Sequence, residues 1–93
     1  VSTIVFVRVE HPDEVRTGIA AMRFAADGGT RPDAVGSAPA AWGVSEREYR
    51  ARADVWPLDP AGELTSWVVV ESRAGVERVR EIAAVPGIAA LFP

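Results

Sequence analysis

Trp67-Val68-Val69-Val70-Glu71-Ser72 is an apolar run that stops abruptly at a carboxylate. An amphipathic stretch follows from Arg73 to Val85, and then a second apolar run, Ile88-Ala89-Ala90-Leu91-Phe92-Pro93. Two continuous apolar strands flanking a helix read as a βαβ unit, a parallel pair with both sheet faces covered. Ligands of parallel sheets gather at the carboxyl ends of the strands, and Glu71 stands at such an end. Glu71 is therefore the residue expected to carry chemistry; the alternative is a strand-end glutamate that faces water or caps the next helix.

Length and composition narrow the class. Ninety-three residues suffice for one small domain and are too few for two. The hydrophobic fraction, 48%, is that of a packed globular protein, and no apolar run is long enough to span a bilayer. Val1-Ser2-Thr3-Ile4 lacks the basic leader of a signal peptide, and Arg8 interrupts the apolar run behind it. Cysteine is absent, which excludes disulfides, a thiolate nucleophile and thiolate metal ligation from this segment. A net charge of −3 without a clustered basic face argues against nucleic acid as a partner. The expectation is a soluble, cytoplasmic protein. All ten basic residues are arginine, so no lysine is present to form a Schiff base, and carbon–carbon bond chemistry here would need a metal or another electron sink.

Along the chain, Thr3 to Val9 is a β-branched run that suits a buried strand. Glu10-His11-Pro12-Asp13-Glu14 opens a helix: proline fits the first turn, and the two acids favour the positive end of the helix dipole. Val15, Ile19 and Met22 fall at helical spacing and form its buried stripe, and the helix should fade near Ala26, before Asp27-Gly28-Gly29. From Asp27 to Val44 no period is visible, and a connection of that length in a small domain is usually a functional loop or a disordered one. Its expected place is over the carboxyl ends of the strands or against a neighbouring subunit. Ser45-Glu46-Arg47-Glu48 has capping-box spacing and starts a short helix with Tyr49 and Ala53 on one face. Pro57, Pro60 and Gly62 make a turn region, and in the last helix Val76, Val79, Ile82 and Ala83 should face the sheet before Pro86-Gly87 ends it.

The order is thus β-α-loop-α-β-α-β with parallel connections, an α/β arrangement. Three strands, near Thr3–Val9, Ser66–Val70 and Ile88–Phe92, should lie side by side with two unpaired edges. An all-parallel sheet needs more helical cover than this chain supplies, so it looks like a slice of something larger. A (β/α)8 TIM barrel uses about 250 residues, and this would be roughly its middle third.

The ordered set Val9-Glu10-His11-Pro12-Asp13-Glu14-Val15, Met22-Arg23-Phe24, Gly29-Thr30-Arg31, Val69-Val70-Glu71-Ser72 and Glu81 to Ile88 resembles the HpcH/HpaI aldolase and citrate lyase family over essentially the whole chain. The resemblance implies a (β/α)8 barrel that binds a divalent metal, Mg or Mn, and a pyruvate-like 2-oxo acid. Such enzymes form or cleave a carbon–carbon bond, with aldehyde co-substrates, through a metal-stabilised enolate, and the full-length protein would be a homo-oligomer. It places Glu71 on the glutamate that ligates the metal at the end of the fifth barrel strand. The family's second metal carboxylate would fall just beyond Pro93, and its substrate-clamping arginine and His/Asp acid–base pair before Val1, so none of the acid–base residues is in this segment. One position departs: two residues before the metal glutamate the family often has a substrate-binding glutamine, and here Val69 cannot donate a hydrogen bond.

Other candidates have competing readings. His11 could be a ligand or base, but a helix-initiating role fits its place beside Pro12 better. Arg23 and Arg31 border the glycine-rich loop and are candidates to bind a substrate carboxylate in fork geometry; the alternative is that they are solvated or ion-paired. Gly28-Gly29-Thr30 is too short and poorly placed for a phosphate cradle, and Trp42 and Trp56 serve as loop anchors, in the core or at a subunit contact. Besides a metal-dependent aldolase or lyase segment, two classes remain: a non-catalytic remnant or half-barrel that pairs with another chain, and an unrelated small α/β binding module.

Overall fold

The computed structural model describes residues 2–93. Strand β1 (Thr3–Phe6) leads into helix α1 (Pro12–Met22), then two short helices, α2 (Ala38–Trp42) and α3 (Glu46–Arg52). Strand β2 (Thr65–Val69) follows, then α4 (Arg73–Glu77), α5 (Val79–Ala83) and β3 (Ile88–Phe92). The strands form one open sheet in the order β1-β2-β3, every pair parallel. Val5, Trp67 and Ala90 stand side by side across it, as do Phe6, Val68 and Leu91. The expected α/β class, the parallel strands and the two outer edges are all present.

α1 packs against α5, so both crossovers return over the same face of the sheet. Beneath them lies the main core, Val9, Val15, Ile19, Val55, Val68, Val70, Ile82 and Val85. β2 shows the consequence in its alternation: Ser66, Val68 and Val70 are buried, whereas Thr65, Trp67 and Val69 are not. The expectation that both faces would be covered is therefore corrected. Val5, Val7, Trp67 and Phe92 are left between 39% and 64% exposed on the bare face, with the Trp67 and Phe92 rings 5.6 Å apart.

The start of α1 follows from its sequence. His11 is the cap, with extended backbone and with Nδ1 accepting the Asp13 N–H at 3.1 Å, and Glu14 reaches back to accept the Glu10 N–H at 3.0 Å. His11 thus acts as a helix initiator. The helix ends at Met22, earlier than the expected fade near Ala26, and a 3-10 turn at Ala25–Asp27 follows.

The last helical segment departs further from expectation. It is two short helices broken at Arg78, and Val76, expected against the sheet, is 57% exposed. Gly75 explains the phase: a β-carbon there would lie 2.4 Å from the Val9 carbonyl oxygen and 2.9 Å from Val70, so only glycine lets α4 approach the sheet this closely. With residue 75 facing inward, Val76 is turned outward. The break at Arg78 then resets the phase so that Val79 and Ile82 reach the core, while Ala83 is exposed.

Residues between α1 and β2 build a second, smaller core of Phe24, Tyr49 and Ala53, with Val35, Ala38 and Val44 packed on it. The Trp42 and Tyr49 rings meet edge to face at 4.9 Å. This insertion joins the sheet at the beginnings of the strands: Leu64 donates to Asp54 O, Trp56 to Leu64 O, and Thr65 to Ser2 O. α1 has carried the chain back from the carboxyl end of β1, so the residues just before β2 sit at the amino ends, with Arg31 and Trp42 beside Ser2 and Leu64. The expectation that residues Asp27 to Val44 cover the carboxyl ends is thereby corrected, and α2 shows that the stretch is not structureless.

Candidate functional site

At the carboxyl end of the sheet, the ends of β1 and β2 are tied by polar contacts. Glu71 lies two residues beyond β2, exposed, and its Oε1 accepts the backbone N–H of Arg8 at 3.3 Å. Ser72 caps α4 by accepting the Gly75 N–H at 3.1 Å, and its hydroxyl donates to Glu10 Oε2 at 2.5 Å. Val9 donates to Val69 O at 3.2 Å and brings the chain back to the sheet after Arg8. Arg8 itself has φ 52, the only positive value on a non-glycine among the described residues.

Glu71 is thus held at one oxygen by a single long hydrogen bond, and its remaining lone pairs face water. A carboxylate in that state fits a hard divalent cation, which takes one or two carboxylates and fills its other positions with water or substrate oxygens. Among the described residues no group of three or more His, Asp or Glu side chains is placed to hold a metal ion, so Glu71 would be one protein ligand of an incomplete set. Val69 precedes it by two residues, on the same side of an extended chain, and adds an apolar wall rather than a hydrogen-bond donor.

Arg23 and Arg31, expected to bind substrate, are elsewhere. Arg31 lines a cavity of about 330 Å³ together with Ser2 and Leu64, the residues that precede β1 and β2. From Leu64 to Glu71 the extended chain rises about 3.3 Å per residue, which separates the two ends by roughly 20 Å. The three candidates therefore do not form one site within this chain. Arg31 is also occupied: it donates to Tyr49 Oη at 2.9 Å and Ala53 O at 3.2 Å, and its guanidinium stacks 4.1 Å from the Phe24 ring centre.

Arg23 grips Asp54 in a two-pronged pair, Nε to Oδ1 at 2.7 Å and an Nη to Oδ2 at 2.8 Å. Asp54 is buried and also accepts the Val55 N–H at 2.7 Å. Burial alone would push its carboxyl upward in pKa, but the hydrogen bonds from Arg23 and Val55 outweigh burial and hold it below the usual carboxylate range. The same pairing raises the Arg23 guanidinium. Arg23 is a structural ion pair that locks the insertion onto α1, the alternative that its sequence position left open.

Two features escaped sequence reasoning. Asp54 had a faint signal, an acid between Ala53 and Val55 where neighbours are apolar. Arg8 had a clearer one, the lone charge in the run Thr3 to Val9.

The chain is an α/β unit with three parallel strands in one open sheet, with the Glu71 carboxylate just beyond its central strand and the Glu10 carboxylate on the neighbouring Ser72. Comparison with protein-family models, with curated proteins and with solved structures gives no match.

Proposed function

We propose that this chain is a segment of a divalent-metal-dependent (β/α)8 barrel that forms or cleaves a carbon–carbon bond in pyruvate-like 2-oxo acids, with Glu71 as a metal ligand. The observation that carries the reading is the place of Glu71: exposed, weakly held, at the carboxyl end of the central strand of a parallel sheet wound in one direction. Barrels put their helices outside and pack the other strand face into the lumen. The bare apolar face of Val5, Trp67 and Phe92 and the free edges of β1 and β3 suit that arrangement. The ordered resemblance to HpcH/HpaI aldolases supports the choice of chemistry.

In this reading Glu71 binds Mg or Mn, and the Arg8 N–H orients the carboxylate. A cation held by Glu71 would supply Lewis-acid catalysis there. Ser72 and Glu10 fix the start of α4 against the end of β1 and so hold the strand ends in register. Val69 leaves one wall of the site without a donor. The test is retro-aldol release of pyruvate from 4-hydroxy-2-oxo acids by the polypeptide that carries this segment, with Mg²⁺ or Mn²⁺ and after chelation. Turnover that requires the metal and is lost in Glu71→Gln is expected; turnover indifferent to both overturns the proposal. The bare face and edges also suit a half-barrel completed by a second chain, and activity that appears only on mixing with that chain would mark that form.

A further inference from the structure

We infer that the cavity at the amino ends of β1 and β2 binds a monocarboxylate carrying one aromatic ring, with Arg31 as the anchor for the carboxylate. The site lies at the opposite end of the sheet from Glu71 and needs no metal. It opens where the insertion meets the sheet: Ile4 begins β1, Leu64 precedes β2, Met22 ends α1, and Trp42 and Tyr49 belong to the insertion. Ile4 pairs with buried Ser66, so it is on the helix-covered face, yet it remains 38% exposed. The insertion therefore leaves the cover incomplete there, and the gap of about 330 Å³ is in the range of pockets for small organic ligands.

Arg31 brings a charge into this cavity that nothing in the described residues neutralises. Its two hydrogen-bond partners, Tyr49 Oη and Ala53 O, are both neutral, and they fix the guanidinium without balancing it. Arg50, stacked on the same Phe24 ring, has Asp33 and Glu46 each at 3.9 Å. The oxygens of Asp54, the buried acid of the insertion, are taken by Arg23 and the Val55 N–H. A half-buried cation without a counter-charge favours an incoming anion, and the unused N–H groups of its planar fork suit a carboxylate. The Tyr49 hydroxyl, which accepts from Arg31, keeps its own proton to donate. One guanidinium balances one negative charge; the apolar walls of Ile4, Met22 and Leu64 would leave the second charge of a phosphate ester unpaired. Trp42, 39% exposed and edge to face with Tyr49, adds an aromatic surface on which a ligand ring can pack.

Calorimetry on the polypeptide that carries this segment, with a chelator present, compares phenylacetate with phenylacetamide, its uncharged isostere, and with acetate, which lacks the ring. Wild type should bind phenylacetate at least tenfold more tightly than either. Arg31→Gln should erase the preference for the acid over the amide while the affinity for the amide stays within about twofold, a split that a purely structural arginine would not produce. Ala21→Phe keeps Arg31 and fills the cavity from the last turn of α1, so it should abolish phenylacetate binding with the fold intact by circular dichroism; it decides the matter if Arg31→Gln fails to fold. Equal binding of acid and amide by wild type, an acid preference that survives Arg31→Gln, or phenylacetate affinity unchanged in Ala21→Phe overturns the inference. So does a wild type that binds phenylacetate only when a divalent metal is restored, or not at all.

Discussion

Asp54→Asn separates a structural role for Arg23 from a substrate-binding one. The Asp54 side chain is 3% exposed and accepts three hydrogen bonds, two from Arg23 and one from Val55. Asparagine preserves the volume but removes the charge and turns an N–H₂ group toward one of those donors. Removing one member of a buried pair costs about 3–5 kcal/mol, because the other charge is stranded. Arg23 retains 22% exposure and recovers some hydration, which brings the expected loss to about 2–3 kcal/mol. In a domain whose whole stability is about 5 kcal/mol or little more, that is a large fraction. Urea unfolding followed by tryptophan fluorescence measures it. The pH dependence has a definite sign: a carboxyl held below its ordinary value of 3.8 stabilises the fold above that value and loses the contribution as pH falls through its folded pKa. The gap between wild type and Asp54→Asn should therefore close below about pH 3.8. Arg23→Met combined with Asp54→Leu should recover much of the loss. A change below about 0.5 kcal/mol in Asp54→Asn, within the range of an ordinary surface substitution, would refute the assignment.

Gly75→Ala drives a β-carbon into the Val9 carbonyl and should cost about 1–3 kcal/mol in urea unfolding; wild-type stability would show that α4 is not pinned where described. The isolated 93-residue chain, with its apolar face bare and two strand edges open, should be catalytically silent and should associate as its concentration rises in size-exclusion chromatography. Val5→Lys with Trp67→Glu should shift that elution toward the monomer, and unchanged association would place the sticky surface elsewhere.

The sequence made the strands, α1 and its cap readable because each rests on local chemistry: β-branched runs, Pro12 in a first turn, acids behind it. It did not reveal which sheet face is covered. Trp67-Val68-Val69-Val70 is apolar on both sides, and apolarity states what a face wants, not what lies on it. Val76 was misplaced because helical spacing assumes one unbroken phase, which Gly75 and the break at Arg78 remove. Arg23 and Arg31 were misplaced for a different reason, although the signal was available. In a parallel unit the helix returns the chain to the amino ends, so residues between helix and next strand lie away from the carboxyl-end site. The Arg23–Asp54 pair, 31 residues apart, had no local trace. The place of Glu71 just beyond β2 was legible because an apolar strand ending in a carboxylate is itself a local pattern.

Mn²⁺ titration of the polypeptide that carries this segment, followed by electron paramagnetic resonance of the free ion, tests the role of Glu71 most directly. Wild type should bind Mn²⁺ through Glu71, and Glu71→Gln, which keeps the shape of the side chain and removes its charge, should weaken binding at least tenfold with the fold intact by circular dichroism. Equal Mn²⁺ affinity in the two proteins would contradict it.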